Sequence, residues 1–208
     1  MVWLCKVILS LKVHPNKMRK IVFDIETRNI FEDVGKADPA LLDISIVCIY
    51  DYSTDEYSSY LVEELPKLWK ILEDTEILIG FNSNHFDIPL LNKYYHGDLN
   101  NIQSLDILEE VRKSIGRRVG LGNIAEATLG HGKSGHGLQA VEWWKKGNIE
   151  SIRKYCIEDV KVTKEVYEYA LKNGKIKYKD GEIIKDAIID TKDWDNKKEA
   201  VLNRSLFF

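Results

Sequence analysis

Four acidic residues in this 208-residue chain have types and spacings that could support metal-dependent chemistry, and the first two form a pair. Asp24 and Glu26 are two positions apart in a predicted strand, so both side chains leave the same face of the sheet. Two neighbouring carboxylates repel each other unless a cation lies between them. The pair therefore indicates a metal site, although a strand end with solvated acids would show the same pattern.

The third acid, Asp87, follows the segment Asn82-Ser83-Asn84-His85-Phe86, where a short predicted strand gives way to a helix. Open α/β sheets place their functional sites at the carboxyl ends of central strands, which puts Asp87 at the same edge as the acidic pair. The alternative is that Asp87 caps the N-terminus of the following helix. The two roles are compatible.

The fourth acid, Asp159, lies in the predicted helix 149–172, four positions after Tyr155, so the two side chains share one helical face. Ile152 is three positions before Tyr155 on the same side, which predicts that this face points inward. An inward aspartate without a basic neighbour requires a cation partner. A ligand set made only of oxygens favours Mg²⁺ or Mn²⁺ over zinc.

The elements that must position these residues alternate between strands and helices. Three strands, a helix, a strand, a helix and a strand precede a run of helices, which predicts an α/β fold with one mixed sheet covered on its faces. The predicted strands are 21–27, 44–52, 57–62, 76–80 and 104–108, and the predicted helices are 63–74, 86–95, 109–115, 121–129 and 149–172. Asp180-Gly181 predicts a tight turn, and hence a hairpin between 175–178 and 182–184.

Composition limits the function classes that the chain can belong to. It contains 30 Lys and Arg against 33 Asp and Glu, a net charge of −3 that excludes a protein holding nucleic acid by bulk positive charge alone. Basic runs within 111–136 and 172–179 still predict local positive surface. No run of about 18 apolar residues is present, so no membrane span is expected. Three scattered cysteines argue against a disulfide framework and favour the cytoplasm.

Taken together, the three motifs resemble the DEDD superfamily of 3′–5′ exonucleases, in the subgroup that has a tyrosine in its last motif. The resemblance is closest to the stand-alone relatives of family-B DNA polymerase proofreading domains. It implies a ribonuclease H-like fold, a mixed five-stranded sheet whose first three strands form an antiparallel meander. The matching segments are Asp24-Ile25-Glu26-Thr27, Asn82-x-x-x-Phe86-Asp87 and Tyr155-x-x-x-Asp159.

The resemblance also implies a mechanism, in which two Mg²⁺ or Mn²⁺ ions support hydrolysis of DNA from its 3′ end and release nucleoside 5′-monophosphates. Asp24 would bridge both cations, and Glu26 and Asp159 would complete the site that activates water. Asp87 would serve the second cation. Tyr155 would orient the attacking water. The same chemistry on RNA and a catalytically idle nucleic-acid-binding module are the alternatives, and the second predicts a missing carboxylate, whereas none is missing.

Four further residues are expected to contact the substrate. Thr27 ends the first motif and would lie near the terminal nucleotide, and Asn82 begins the second motif. Phe86 would pack against the terminal base, since aromatic side chains stack on bases of single strands. Lys133, in the glycine-rich loop 130–137, is expected near a phosphate.

The chain is long enough for one sizeable core and short for two. We expect a leader or an added edge strand over residues 1–17, the exonuclease domain over 18–172 and a hairpin with a tail over 173–208. The tail segment Ser205-Leu206-Phe207 resembles the end of the peptide by which bacterial replication proteins bind their sliding clamp. This predicts a replication or repair partner, and packing of the tail onto the domain is the alternative.

Overall fold

A mixed five-stranded sheet forms the centre of the computed structural model, which describes residues 18–132 and 137–196. Its strands are β1 (Lys20–Thr27), β2 (Ile44–Asp51), β3 (Glu56–Leu61), β4 (Ile77–Gly80) and β5 (Gln103–Asp106). They lie in the order β3-β2-β1-β4-β5. The first three strands are antiparallel neighbours, whereas β4 runs parallel to β1 and to β5. The predicted α/β fold with a mixed five-stranded sheet is therefore confirmed.

Helices cover both faces of this sheet, and a hairpin follows the last of them. The helices are α1 (Phe31–Val34), α2 (Leu65–Leu72), α3 (Asp87–Asn92), α4 (Ile107–Ile115), α5 (Leu121–Leu129), α6 (Gly137–Lys145) and α7 (Ile149–Asn173). The hairpin strands are β6 (Lys175–Asp180) and β7 (Ile183–Ile188), longer than predicted around the same turn. Helix α3 is shorter than the predicted 86–95, and α6 was not predicted as a helix. No helix in the described ranges combines the length and apolar character that crossing a bilayer requires.

The side chains of β1 alternate between two hydrophobic cores, one on each face of the sheet. Val22 packs in the core that contains residues of α5 and α7, whereas Ile21 and Phe23 pack in the core that contains residues of α2 and α3. Asp24 and Glu26 lie two and four positions after Val22, so their side chains leave β1 on the same face as the Val22 side chain. Both acids therefore point toward the α7 side of the sheet.

Helix α7 packs across β1 and β2 on this side and carries the third motif. The Asn148 side chain begins the helix by accepting a hydrogen bond from the backbone N–H of Ser151 at 3.2 Å. Buried residues then recur at spacings of three and four, as an inward helical face requires. The Sγ of Cys156 donates to the backbone carbonyl of Asp24 at 3.4 Å, which fixes the helix directly against the strand that carries the acidic pair.

Parts of the sequence predictions lie outside the described residues. These are the predicted leader over 1–17, Lys133, and the clamp-binding tail within 197–208. The division into leader, exonuclease domain and C-terminal region stays a prediction.

Candidate active site

Three acids meet where the end of β1 faces α7. One carboxylate oxygen from each of Asp24, Glu26 and Asp159 lies within 4.8 Å of the other two. Glu26 and Asp159 are only 8% and 4% exposed, so their charges are largely removed from bulk water. A set of three carboxylates matches the oxygen ligands that Mg²⁺ and Mn²⁺ prefer. These residues could therefore hold the divalent cation that the sequence predicts.

The end of β1 is shaped by an irregularity in its pairing with β2. Glu26 pairs with Ile46 and Thr27 pairs with Ile44, which leaves Ser45 as an extra residue in β2. A bulge of this kind increases local twist and redirects side chains, and bulges are frequent beside active sites. The Oγ1 of Thr27 donates to the backbone carbonyl of Asn29 at 2.8 Å, so the strand leaves the acidic cluster in a hydrogen-bonded turn.

A cleft of about 570 Å³ opens over the three acids. Its volume falls within the roughly 300–1,000 Å³ of typical small-ligand sites. All of the predicted site residues that the structure describes line it, namely Asp24, Glu26, Thr27, Asn82, Phe86, Asp87, Tyr155 and Asp159. The fold therefore brings residues of all three motifs to one cavity.

Asp87 lines this cleft but is not one of the three clustered acids. It is the first residue of α3 and is 4% exposed, but it does not belong to the group of three oxygens within 4.8 Å. Burial is the main cause that raises the pKa of Asp87, and the negative charge of Asp106 raises it further. Hydrogen bonds from the backbone amides of Asp87 itself and of Ile25 lower the pKa and so oppose this rise. The bond from Ile25 ties the carboxylate to β1, between the first two acids. Its role as a ligand of a second cation stays a prediction.

Tyr155 is 3% exposed and lies one helical turn before Asp159. Trp143 of α6 packs edge-on against it, with ring centroids 6.0 Å apart and the planes at 67°. The neighbouring Trp144 stacks instead against Arg28, whose guanidinium carbon is 4.4 Å from the ring centroid. Helix α6 therefore restricts where the Tyr155 ring can lie through its contact with Trp143.

The sequence analysis did not identify one buried acid, Asp106, whose hydrogen bonds hold the segment that follows β4. Its Oδ1 accepts hydrogen bonds from the backbone N–H groups of Asn82 and Leu108 at 2.8 and 2.9 Å, and its Oδ2 accepts one from Asn84 at 3.0 Å. Asn82 has a left-handed backbone with φ 65°, which these bonds stabilise. The segment leads directly to Asp87, so Asp106 acts as a positioning residue for this part of the cleft.

We expect Asp106→Ala to destabilise the protein by about 2–3 kcal/mol, because it removes a helix cap and leaves buried N–H groups without an acceptor. Chemical denaturation would measure the loss, and amide hydrogen exchange at Asn82 and Asn84 should accelerate. Asp98→Ala is the matched control, since Asp98 also caps a short helical turn but at the surface. Equal losses from the two variants would contradict this role of Asp106.

Among the described residues, the charged side chains that line the cleft are all acidic, and a basic residue lies at its rim. Arg118 Nη2 donates to the Asn82 Oδ1 at 2.5 Å, which places the guanidinium beside the second motif. Other residues of the predicted basic run have partners elsewhere, since Arg117 pairs with Asp180 at 2.9 Å and Lys113 with Glu110 at 2.6 Å. Among the members of this run that the structure describes, Arg118 bonds a residue of the cleft.

Comparison with known proteins agrees with this architecture. A family model of the RNase H superfamily matches residues 21–171. The fold is similar to a family B DNA polymerase from the hyperthermophilic archaeon Pyrobaculum calidifontis, with a TM-score of 0.58 and 16% sequence identity. That match covers 76% of this chain and 25% of the polymerase chain. No curated protein sequence matches the chain significantly. Because the family model spans all five strands of the sheet and most of α7, the chain belongs to the RNase H superfamily.

Proposed function

We propose that this protein is a metal-dependent 3′–5′ exonuclease that shortens single-stranded DNA and releases nucleoside 5′-monophosphates. The observation that carries the proposal is the convergence of Asp24, Glu26 and Asp159 within 4.8 Å, at the base of a cleft that Asp87 and Tyr155 also line. Membership of the RNase H superfamily supports a nuclease that hydrolyses phosphodiester bonds. The direction of digestion and the preference for DNA belong to the proposal.

We assign the roles of these residues from the family motifs that they match, and their places in the cleft are compatible with those roles. Asp24, Glu26 and Asp159 would hold divalent cations, and Asp87 would act on the second from the cleft wall. Such cations, when bound, lower the pKa of a water molecule and neutralise negative charge that develops on the phosphate. Tyr155 would orient the attacking water by a hydrogen bond. A phenol with a pKa near 10 is a poor base at neutral pH, so orientation is its expected contribution.

The walls of the cleft suit a nucleotide at the end of a strand. Phe86 contacts Phe31 edge to face with ring centroids 6.1 Å apart, and both line the cleft, which gives one wall an aromatic surface for a base. Arg118 at the rim would bind a backbone phosphate and offset the repulsion between the acidic cleft and a polyanionic substrate. Thr27 lies beside the acids, where the sugar of the terminal nucleotide would be placed.

Digestion of labelled oligonucleotides tests this function. Single-stranded DNA labelled at its 5′ end should be converted with Mn²⁺ into a ladder of progressively shorter fragments, while a 3′ label should appear at once in mononucleotide. Matched RNA should be degraded more slowly, and faster degradation of RNA would favour the exoribonuclease alternative. Cleavage of circular single strands would contradict an exonuclease, and binding without any cleavage would indicate an idle nucleic-acid-binding module.

Metal binding should be visible without any substrate. We expect millimolar Mn²⁺ or Mg²⁺ to raise the melting temperature by about 5 °C, because a cation that binds only the folded cluster stabilises that state. Protons compete with the cation for carboxylates, so the increase should be larger at pH 8 than at pH 5. The double variant Asp24→Asn, Asp159→Asn should lose the increase, and a wild type that shows none would contradict the metal site.

A further inference from the structure

The C-terminal hairpin has one covered side and one open side. β6 pairs with β7 on one side, and on the other its backbone is bonded by two side chains of α5. The Thr128 side chain bonds both the N–H and the C=O of Lys177, at 3.1 and 2.9 Å. The Asn123 side chain bonds the same groups of Lys179, at 2.7 and 3.1 Å. Side chains of α5 therefore cover the outer edge of β6, and β7 forms the other edge of this two-stranded sheet.

These bonds determine which backbone groups of β7 point outward. Lys177 and Lys179 direct their N–H and C=O groups toward α5, so the residues opposite them, Asp186 and Ile184, direct theirs away from β6. Ile188 lies two positions after Asp186, so its N–H and C=O groups also point away from β6. Within residues 18–132 and 137–196, no hydrogen bond engages the N–H groups of these three residues. β7 thus presents a row of backbone groups suited to pairing with another strand.

The side chains of this edge are unusually apolar for an exposed strand. Ile184 is 55% exposed and Ile188 is 69% exposed, on the same face as Asp186. The outer strands of the central sheet carry polar side chains instead, such as Ser58 in β3 and Ser104 in β5. Proteins guard exposed edges with charges, proline or bulges. The charges of β7, Lys185 and Asp186, are each paired within the hairpin, with Asp180 and Lys175, so they guard this edge less than free charges would.

We propose that β7 pairs with β7 of a second copy of this chain, antiparallel about a two-fold axis at Asp186, to form the four-stranded sheet β6-β7-β7-β6. The outward residues are symmetric about their midpoint, since an isoleucine lies two positions to either side of Asp186. The two-fold axis therefore places Ile184 opposite Ile188 of the partner subunit, and Ile188 opposite Ile184 of the partner subunit. Such a register allows up to about six backbone hydrogen bonds, and β-branched pairs directly opposite each other stabilise a sheet.

The charges on the hairpin permit this pairing. The two copies of Asp186 would lie near the axis, but each is already paired with Lys175, at 2.7 Å in this chain. The lysines of the outer face all belong to β6, and two β6 strands would be separated by roughly 14 Å in the four-stranded sheet. That distance exceeds the screening length of roughly 8 Å at physiological salt, so repulsion between the two sets of lysines is weak.

Sedimentation of the full chain tests the association. We expect the weight-average mass to rise from one chain toward two as the concentration increases from roughly 1 μM to 500 μM, the range in which modest interfaces assemble. Ile184→Lys should weaken the dimer at least tenfold. Leu41→Lys is the matched control, because Leu41 is 44% exposed and lies far from the hairpin in sequence. A wild type that stays monomeric throughout, or equal weakening by both variants, would overturn the proposal.

Cross-linking tests the register. In a Cys5→Ser background, Asp186→Cys should form an interchain disulfide on mild oxidation, because residues facing each other across the axis have Cα atoms about 5.5 Å apart, within disulfide range. The native Cys48 and Cys156 are buried and should not contribute. Glu182→Cys is the control, since Glu182 is exposed in the turn but distant from the axis. Faster cross-linking through Glu182→Cys than through Asp186→Cys would overturn the register.

Discussion

Asp24→Ala is expected to reduce the metal-dependent nuclease activity at least a thousandfold while the protein stays folded. Asp24 contributes one of three oxygens that lie within 4.8 Å of one another, and two carboxylates hold a divalent cation much more weakly than three. A loss of this size corresponds to about 4 kcal/mol of transition-state stabilisation. The fold should persist because the substitution also removes repulsion from the acidic cluster. Single-turnover digestion of labelled DNA and circular dichroism together measure both outcomes.

Two neighbouring acids of α7 provide the matched comparison. Asp159→Asn should cause a loss similar to that of Asp24→Ala, since Asp159 belongs to the cluster. Glu158→Gln also replaces a carboxylate of α7 by its amide and removes one negative charge, but Glu158 lies outside the cluster. Its activity should therefore stay within about threefold of wild type. Activity that is equally reduced in both variants, or retained in Asp24→Ala, would contradict the assignment of the metal site.

Gly80→Ala is expected to have the largest effect on stability, a loss of about 3 kcal/mol. Gly80 ends β4, and a Cβ atom there would overlap the Cβ and Oγ atoms of Ser83 and lie 3.3 Å from the Phe23 ring. Ser83 is fully buried, so the segment cannot yield without disturbing the core. Any adjustment would shift Asn82 and with it Asp87, so nuclease activity should fall as well. Urea denaturation measures the stability change.

Gly120→Ala serves as the control for the loss of a glycine. No atom lies within 4 Å of a Cβ built at Gly120, and its backbone φ of −71° is one that alanine adopts readily. Its stability should change by less than about 1 kcal/mol, and a small gain is expected. Adding Ser83→Gly to Gly80→Ala should recover part of the loss, because it removes the overlapping atoms. Equal denaturation midpoints for the two alanine variants would show that the close contact is unimportant.

Much of the site could be predicted from sequence because short periodicities position its residues. A spacing of two in a strand puts Asp24 and Glu26 on one face, and a spacing of four in a helix puts Tyr155 and Asp159 on another. The order of elements then predicts the mixed sheet. The structure brings the acids of the first and third motifs together and places Asp87 in the same cleft.

The parts that could not be predicted depend on partners distant in sequence. The sequence places Asp106 only within the predicted strand 104–108, whereas its bonds to Asn82 and Asn84 exist because β4 and β5 lie side by side. The extra residue Ser45 has no local signature, since it arises from the pairing of β1 with β2. Helix α6 follows a glycine-rich stretch that favours a loop, and its packing against α7 and β1 stabilises it.

The contact between Cys156 and Asp24 joins positions 132 residues apart, and this separation has a consequence for how the protein acquires activity during synthesis. The acidic pair of β1 leaves the ribosome long before Asp159, because Asp159 lies beyond Cys156 in the chain. A chain that ends before α7 therefore cannot assemble the three-carboxylate cluster. Contacts between such distant segments also form slowly during folding. Acquisition of metal affinity would thus mark the moment at which α7 docks, and a nascent chain would remain inactive until then.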